Sequence, residues 1–494
     1  MQHSEGQDVS EDISITMQNE LDGVIDSELE CSIFRIHNLL RKVNESAYEP
    51  EIIAIGPYHH RKSDLKSMKD HKLLYLKLLL RQKNTDVKKC VEAVEPLERD
   101  ARKYYAEPIG PELSRQEFVK MMVLDGCFII KLLLYFERMD SVDRNDPIFK
   151  QDWILNSLQR DLMLLENQLP FFILCKLYET LELPNEEGGL ISLALNFFID
   201  LLPVQVSAIK NGNALYNIRH LLDENRNPLD DIRHLLDLIH RFWSTSKLKP
   251  QNDAERSTGG HESIRFSTQC HLPDLIHRYW STPKVKPQND MKRSTEESEL
   301  IPCSTQLADA GIELLKIDQV DIFDIQFDNG SLQIPTLVIE DRTESFLRNL
   351  IAYEQYSGGG GYVTDYVTFL GCLIKSKKDV TKLSHHGIIH NRIGENEVIS
   401  QMLNKMIVCI VGPSSNSHYA EICSRVNIHC SRPVNRWRAT LRRKYCNSPW
   451  GIISIIAASS LLILTLLQTT FTILSWKSPY FDKLRPSVSL SKTV

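Results

Sequence analysis

Apolar positions follow two short periods along most of this chain and form one unbroken block near its end. From about Leu65 to Gln82, the residues Leu65, Met68, Leu73, Leu76 and Leu80 mark one face of a 3.6-residue repeat. Asp64 is placed to cap its first turn. Ser114-Arg-Gln-Glu117 is a capping box, and it opens a second helix at Phe118. That helix is apolar on nearly every side, through Met121, Met122, Val123, Cys127, Phe128, Ile129 and Ile130. Asp125, Lys131 and Glu137 interrupt it, so the pattern predicts the central helix of a bundle and not a membrane span. Further helices are predicted at about 147–166, 190–202, 214–222, 343–355 (with a good N-cap), 362–376, 395–408 and 415–445. Pro170 must kink or end the chain path after the first of these. Period two appears late. Ile322–Phe327 and Ser331–Pro335 alternate on either side of Asp328-Asn329-Gly330, which predicts a hairpin, and Ala308–Lys316 predicts a short helix leading into a strand.

The unbroken block is different in kind. From Tyr445 to Trp476 no residue is charged, and its apolar centre is long enough to cross about 30 Å of hydrocarbon as a helix. Trp450 and Trp476 stand where interfacial indoles are favoured. Its Ser and Thr hydroxyls can return hydrogen bonds to their own helix. Gln468 could bond to a second copy, although a tolerated polar residue is the simpler expectation. The expected fold class is therefore mainly α: a multi-helix globular body with a small β-hairpin element and one C-terminal transmembrane helix.

Charge orients that span. The chain has 494 residues and a net charge of −6, but residues 1–30 hold nine acids and no Lys or Arg, which leaves the rest at +3. Seven basic residues and no acids lie between Ser424 and Cys446, so the positive-inside rule places the body in the cytosol. The first 30 residues have no basic region followed by an apolar stretch, so they are not expected to be a signal peptide; a tail-anchored chain is expected. Composition (42% hydrophobic, mean hydropathy −0.25) excludes collagen-like, disulfide-scaffold, wholly disordered and polytopic membrane classes.

One stretch is duplicated. Residues 237–258 recur at 274–295 with 17 of 22 positions identical. Two copies are too few for a solenoid. Each copy starts as a short helix and ends polar, so a duplication within a surface insertion is expected, largely disordered over 244–300. The chain divides accordingly into an acidic disordered arm (1–30), a first helical half (31–222), the duplicated insertion (223–303), a helical second half (304–446) with its hairpin near 322–335, a transmembrane helix (451–476) and a short tail (477–494).

No motif declares a reaction. Eleven scattered cysteines without a CxxC fit a reducing compartment, and Cys446 beside the span is open to palmitoylation. His418, Cys423, His429 and Cys430 match no common zinc spacing. Gly358–Gly361 lacks the ending of a phosphate-binding loop. Candidate chemistry is confined to Asp125, Glu166 (with Asn167 and Gln168) and the His pairs 59–60 and 385–386. Adjacent histidines point apart and rarely share a metal. A structural role is the simpler expectation for Asp125 and for the polar trio, so no catalytic, cofactor or metal residues are assigned.

Five stretches together carry a resemblance: Glu51-Ile-Ile-Ala-Ile-Gly-Pro-Tyr-His-His60, Asp161-Leu-Met-Leu-Leu-Glu-Asn-Gln-Leu-Pro-Phe171, Phe327-Asp-Asn-Gly-Ser-Leu-Gln-Ile-Pro335, Arg348-Asn-Leu-Ile-Ala-Tyr-Glu-Gln355 and Asn447-Ser-Pro-Trp-Gly-Ile-Ile-Ser454. The chain resembles the plant family called domain of unknown function 247, also labelled UPF0481, over about residues 31–480. The resemblance implies a largely helical plant protein with one C-terminal span. It carries over no catalytic residues, and some grass members are implicated in pollen self-incompatibility. The expected function is recognition, signalling or scaffolding through protein partners, with the bilayer contacted by residues 451–476 and no nucleic acid or cofactor bound. The plasma membrane is the expected location. The alternative is a membrane-bound enzyme that uses semi-buried acids. A polar pocket joining Asp125 and Glu166 would favour the alternative; burial of both in bonded contacts would oppose it.

Overall fold

In a computed structural model of the chain, the described residues are 13–18, 31–107, 109, 113–138, 146–183, 189–203, 232–245, 300–317, 321–358, 361–408, 417–435, 437, 440 and 449–477. The first half runs through α1 (Asn38–Val43), α2 (Met68–Lys83), α3 (Val87–Val94), α4 (Glu98–Lys103), α5 (Arg115–Glu137), α6 (Asp152–Asp161), α7 (Phe171–Thr180) and α8 (Gly189–Phe198). The second half adds α9 (Leu235–Thr245), α10 (Ser304–Asp309), β1 (Glu313–Ile317), β2 (Gln326–Asp328), β3 (Ser331–Pro335) and β4 (Leu337–Ile339). It continues with α11 (Thr343–Ser357), α12 (Tyr362–Leu373), α13 (Lys377–His385), β5 (Ile389–Asn391), α14 (Asn396–Met406), α15 (Ala420–Ser431) and α16 (Pro449–Lys477). The protein is mainly α, with a few short strands and one apolar C-terminal helix, as its pattern predicts.

Helix α5 is the centre of the first half. Ser114 and Glu117 close the capping box, each side chain accepting from the other's backbone N–H. Phe118, Met122, Cys127, Phe128, Ile130, Leu132 and Leu133 are fully buried, and α2, α3, α7 and α8 pack around them. Each such side chain contributes about 1.5–3 kcal/mol on leaving water. The helix expected over 147–166 is shorter, ending at Asp161. Side chains replace its next turn: Asn167 donates to the Asp161 carbonyl, and Gln168 donates to those of Leu162 and Leu164. Pro170, which cannot donate, becomes the N-cap of α7.

The hairpin forms where alternation places it. Asn329 (φ 50°) and Gly330 (φ 84°) take the left-handed backbone that a tight two-residue turn requires. Its first strand is shorter than expected, because Asp321 and Phe323 fold 321–325 into turns. β3 also pairs in parallel with β1, giving the order β1-β3-β2, and β4 pairs in parallel with β5. That second pair joins residues about 50 apart, so no local period announces it. Three further expectations are corrected. The helix over 362–376 ends at Leu373, and a second capping box, Ser376 with Asp379, starts α13. Helix α11 begins at Thr343 without a side-chain cap. The helix expected over 415–445 is interrupted after Ser431, where Arg432 turns extended before Pro433, and residues 433–435, 437 and 440 are helical again.

The start of the first repeat copy is helical, as expected, but it is core and not surface. In α9, Leu235, Leu236, Leu238, Ile239 and Trp243 are buried, and Trp243 packs on Phe323 and Phe346. The helix expected at 214–222, the second copy and most of 244–300 lie outside the described residues. Both halves share one apolar core. Asn349 of α11 accepts from the Leu165 N–H and donates to the Ala47 carbonyl, so α11 is bonded directly to the first half. Glu354 accepts from the Val363 and Thr364 N–H groups, satisfying the start of α12.

Helix α16 stands apart from that core. Ile456–Ser475 is long and apolar enough to cross a membrane, and none of it is buried. Ser460, Thr465 and Thr472 return their hydroxyls to carbonyls four residues back, which removes the need for outside partners.

Candidate functional site

The segment from Ile53 to Ile55 is buried and belongs to no helix or sheet, so its backbone groups need side-chain partners. Asp161 accepts from the N–H groups of Glu51, Ile52 and Ile53. Asn167 accepts from the Ile55 N–H and donates to the Ile53 carbonyl. Asp125 accepts from the Gly56 N–H at 3.0 Å, and Lys72 donates both to Asp125 and to the Ala54 carbonyl, each at 2.5 Å. Gly56 itself is forced: φ is +70°, and a Cβ there would lie 2.6 Å from the Gln168 carbonyl oxygen. Asp125, Asn167 and Gln168 are therefore committed to holding backbone, as the simpler expectation had it.

Glu166 is not fully committed. Its side chain is completely buried. One carboxylate oxygen accepts from the Ile36 N–H at 2.6 Å and from Arg41 at 2.7 Å. The other has no hydrogen bond; it lies 3.4 Å from Nε2 of His59 and 3.8 Å from Arg35. Burial pushes the Glu166 carboxyl up, but His59, the Ile36 N–H and Arg41 outweigh it and hold it below the usual glutamate range. His59 is only 2% exposed, and neither ring nitrogen makes a hydrogen bond. Its Nδ1 is 3.9 Å from Glu49, which in turn pairs with Arg41 and Lys62.

His59 forms part of the wall of a cavity of about 560 Å³, a volume that suits a small organic ligand. Arg35 and Lys62 flank it, with Arg35 paired to Glu107 at 2.8 Å and stacked 4.4 Å over the Tyr58 ring. Phe34 and Tyr356 stack on each other at 4.9 Å and form an apolar wall. Burial raises the Tyr58 phenol to about 12, so it stays protonated; it donates to the Ile33 carbonyl and accepts from the Glu107 N–H.

The remaining candidates do not gather. Asp125 and Glu166 serve separate bonding networks, and Asp125 does not line the cavity. His60 is exposed while His59 is buried, so the adjacent pair divides as a chain of alternating side chains requires. His385 and His386 are exposed at the end of α13. His418 bonds to Asp365, and His429 packs edge-on to Phe327. Among the described residues, no group of three or more His, Cys, Asp or Glu side chains is arranged to hold a metal ion. No disulfide links the described cysteines. Cys446 lies outside them.

A family model described as plant protein of unknown function, DUF247, matches residues 33–464. The chain belongs to the DUF247 family. The Arabidopsis thaliana UPF0481 protein At3g47200 is 30% identical to it, covering 90% of this chain and 87% of its own length. A second Arabidopsis thaliana relative, putative UPF0481 protein At3g02645, is 24% identical over 92% of this chain and 93% of its own. No solved structure matches the chain. In this DUF247 body the two stretches 51–60 and 161–171, far apart in sequence, are one structural unit: the second supplies the hydrogen-bonding side chains that the first needs. The cavity residues Arg35, Arg41, Glu49 and Lys62 carry no spacing signal. His59 and Glu166 were visible in sequence, but nothing there shows that they meet.

Proposed function

We propose that this protein is a membrane-anchored recognition or scaffolding component, without catalytic activity, that works through protein partners. Its helical body lies on the cytosolic side of the plasma membrane. The observation that carries this reading is α16: a 20-residue apolar stretch with no buried part, attached to a body whose own core is already complete. The seven basic residues between Arg425 and Lys444 support the cytosolic orientation. A pollen-side role in self-recognition is a special case. Glycosidase treatment of the native protein tests topology, because Asn44 and Asn329 stand in glycosylation sequons. No mass shift is expected, and a shift places the body outside the cell. Recovery of a reproducible partner from native membranes tests the rest. A body that stays monomeric and partnerless contradicts it. The competing reading, a membrane-bound enzyme, keeps one supporting observation, the contact of His59 with Glu166 beside a cavity. Asp125, bonded to Lys72 and Gly56, lends it none.

A further inference from the structure

We propose that the seat of α9 takes two occupants in turn: residues 234–245, which fill it here, and residues 271–282 of the same chain, the matching stretch of the second repeat copy. The seat is made by groups outside the repeat. The Ser32 carbonyl lies 3.1 Å from Nε2 of His234, Tyr353 donates to Asp237 at 2.7 Å, and Glu354 bonds to His240 at 2.8 Å. Phe323 and Phe346 hold the Trp243 ring, and Leu235, Leu238 and Ile239 are buried beside it. Each of those seated side chains recurs 37 positions further on. The polar ones are His271, Asp274 and His277, and the apolar ones are Leu272, Leu275, Ile276 and Trp280. Bonds internal to the helix are repeated as well: His234 accepts from the Asp237 N–H and Arg241 donates to Asp237, and His271, Asp274 and Arg278 stand at the same spacing. The same side chains at the same spacing answer the same buried partners.

Two buried differences decide which copy wins. Leu236 donates its N–H to Gln168 at 3.2 Å, and its counterpart Pro273 has no N–H to give. Proline is still tolerated there, because the position is second in the helix and its N–H has no partner within the helix. Ile232, buried at the entry to the seat, is matched by Gln269. Arg233, matched by Cys270, bonds through its backbone N–H and carbonyl, which any residue supplies. One lost hydrogen bond and one lost buried isoleucine favour the first copy by about a hundredfold. The connections permit the exchange within one chain. With 271–282 seated, residues 283–299 must reach Leu300, and 17 residues extend to about 55 Å, roughly the diameter of a body this size. Residues 204–270 would form the other connection, and closure entropy grows only slowly with length. Seat exchange and partner recognition are independent; either can fail alone.

Hydrogen exchange of the full chain in detergent micelles, read by mass spectrometry, tests this. Pro273 and Tyr279 give 271–282 a mass different from that of 234–245, so the copies are read separately. In the unaltered chain, 234–245 should be protected and 271–282 should exchange at close to the rate of a free peptide. Gln269→Ile with Pro273→Leu restores the missing N–H and both buried side chains, so each copy should be protected in about half of the molecules. Leu238→Asp with Ile239→Asp should expel α9. Protection should then move to 271–282 while α5 stays protected, and adding Leu275→Asp should remove it. The first variant leaves the seated copy untouched, so it decides the matter even if the second cannot be purified. The proposal is overturned if 271–282 exchanges as fast in Gln269→Ile with Pro273→Leu as in the unaltered chain, or if expelling α9 also strips protection from α5. Protection of 271–282 that arises only together with a dimer, seen by light scattering, overturns exchange within one chain.

Discussion

Asp125 and Glu166 are equally buried, each 1% exposed, yet they have opposite characters. Asp125 is closed. Each oxygen has a donor, one from Lys72 and one from the Gly56 backbone, and Lys72 spends a second proton on Ala54. Glu166 is half open. One oxygen is doubly bonded, while the other has no hydrogen bond and lies 3.4 Å from His59 and 3.8 Å from Arg35. A buried carboxylate in a satisfied network is a fastener. A buried carboxylate with one oxygen outside the hydrogen-bond network is held on that side by nearby charge and not by a bond.

The sharpest way to break that contrast is to strip the closed acid of its cation. Lys72→Met should cost about 3–5 kcal/mol, because it leaves Asp125 charged, buried and unpaired. The reading is the urea midpoint of the full chain in detergent. If the single variant is too unstable to purify, adding Asp125→Leu should restore part of the loss. A cost below about 1 kcal/mol would mean that the pair does not fasten the segment.

His234 provides the next test, since it is a histidine closed in the way His59 is not. Its Nδ1 accepts the Asp237 N–H, and its Nε2 lies 3.1 Å from the Ser32 carbonyl, so the neutral Nε2–H form serves both. Burial is the main reason its pKa is held down to about 4. The unfolded chain takes up that proton near 6.5 and the folded chain resists it. This contribution is therefore complete above about pH 6.5 and is lost as pH falls from there through about 4, amounting to about 3 kcal/mol. Urea melts at about pH 7 and about pH 4.5 should show the slope, and His234→Gln should flatten it.

Glu166→Gln should cost less than Lys72→Met, about 1–2 kcal/mol. The amide oxygen can still accept from Ile36 and Arg41, and the oxygen it replaces was already unbonded. A loss as large as that of Lys72→Met would erase the distinction between the two acids. The smallest effect belongs to His59→Leu. No hydrogen bond is lost and a buried unmet donor disappears, so stability should be unchanged or rise by up to about 1 kcal/mol. A penalty above about 2 kcal/mol would show that the place of His59 between Glu166 and Glu49 supports the fold.

Legibility followed the range of the interaction. Ser114 and Glu117 are three residues apart, and their capping box was readable because both partners sit in one turn. Asn329-Gly330 announced its hairpin because the left-handed backbone is a local demand on residue type. The shortened helix before Pro170 was only half legible. The proline was plain, but the earlier stop at Asp161 depends on where the Asn167 and Gln168 side chains reach. The repeat was legible as a repeat, and its helical start was expected. Burial of Trp243 against Phe323 and Phe346 was not, since those partners come from about 80 and 100 residues further on.

By itself, then, the order of residues determined the helical character of the body, the turn at Asn329-Gly330, the family and the apolar block that forms α16. Each is a property of neighbouring residues or of a run of them. The tertiary structure alone decided that Lys72 meets Asp125, and that His59 lies between Glu166 and Glu49. Hydrogen-bond satisfaction is set by which distant groups arrive within about 3 Å, and no periodicity along the chain encodes that distance.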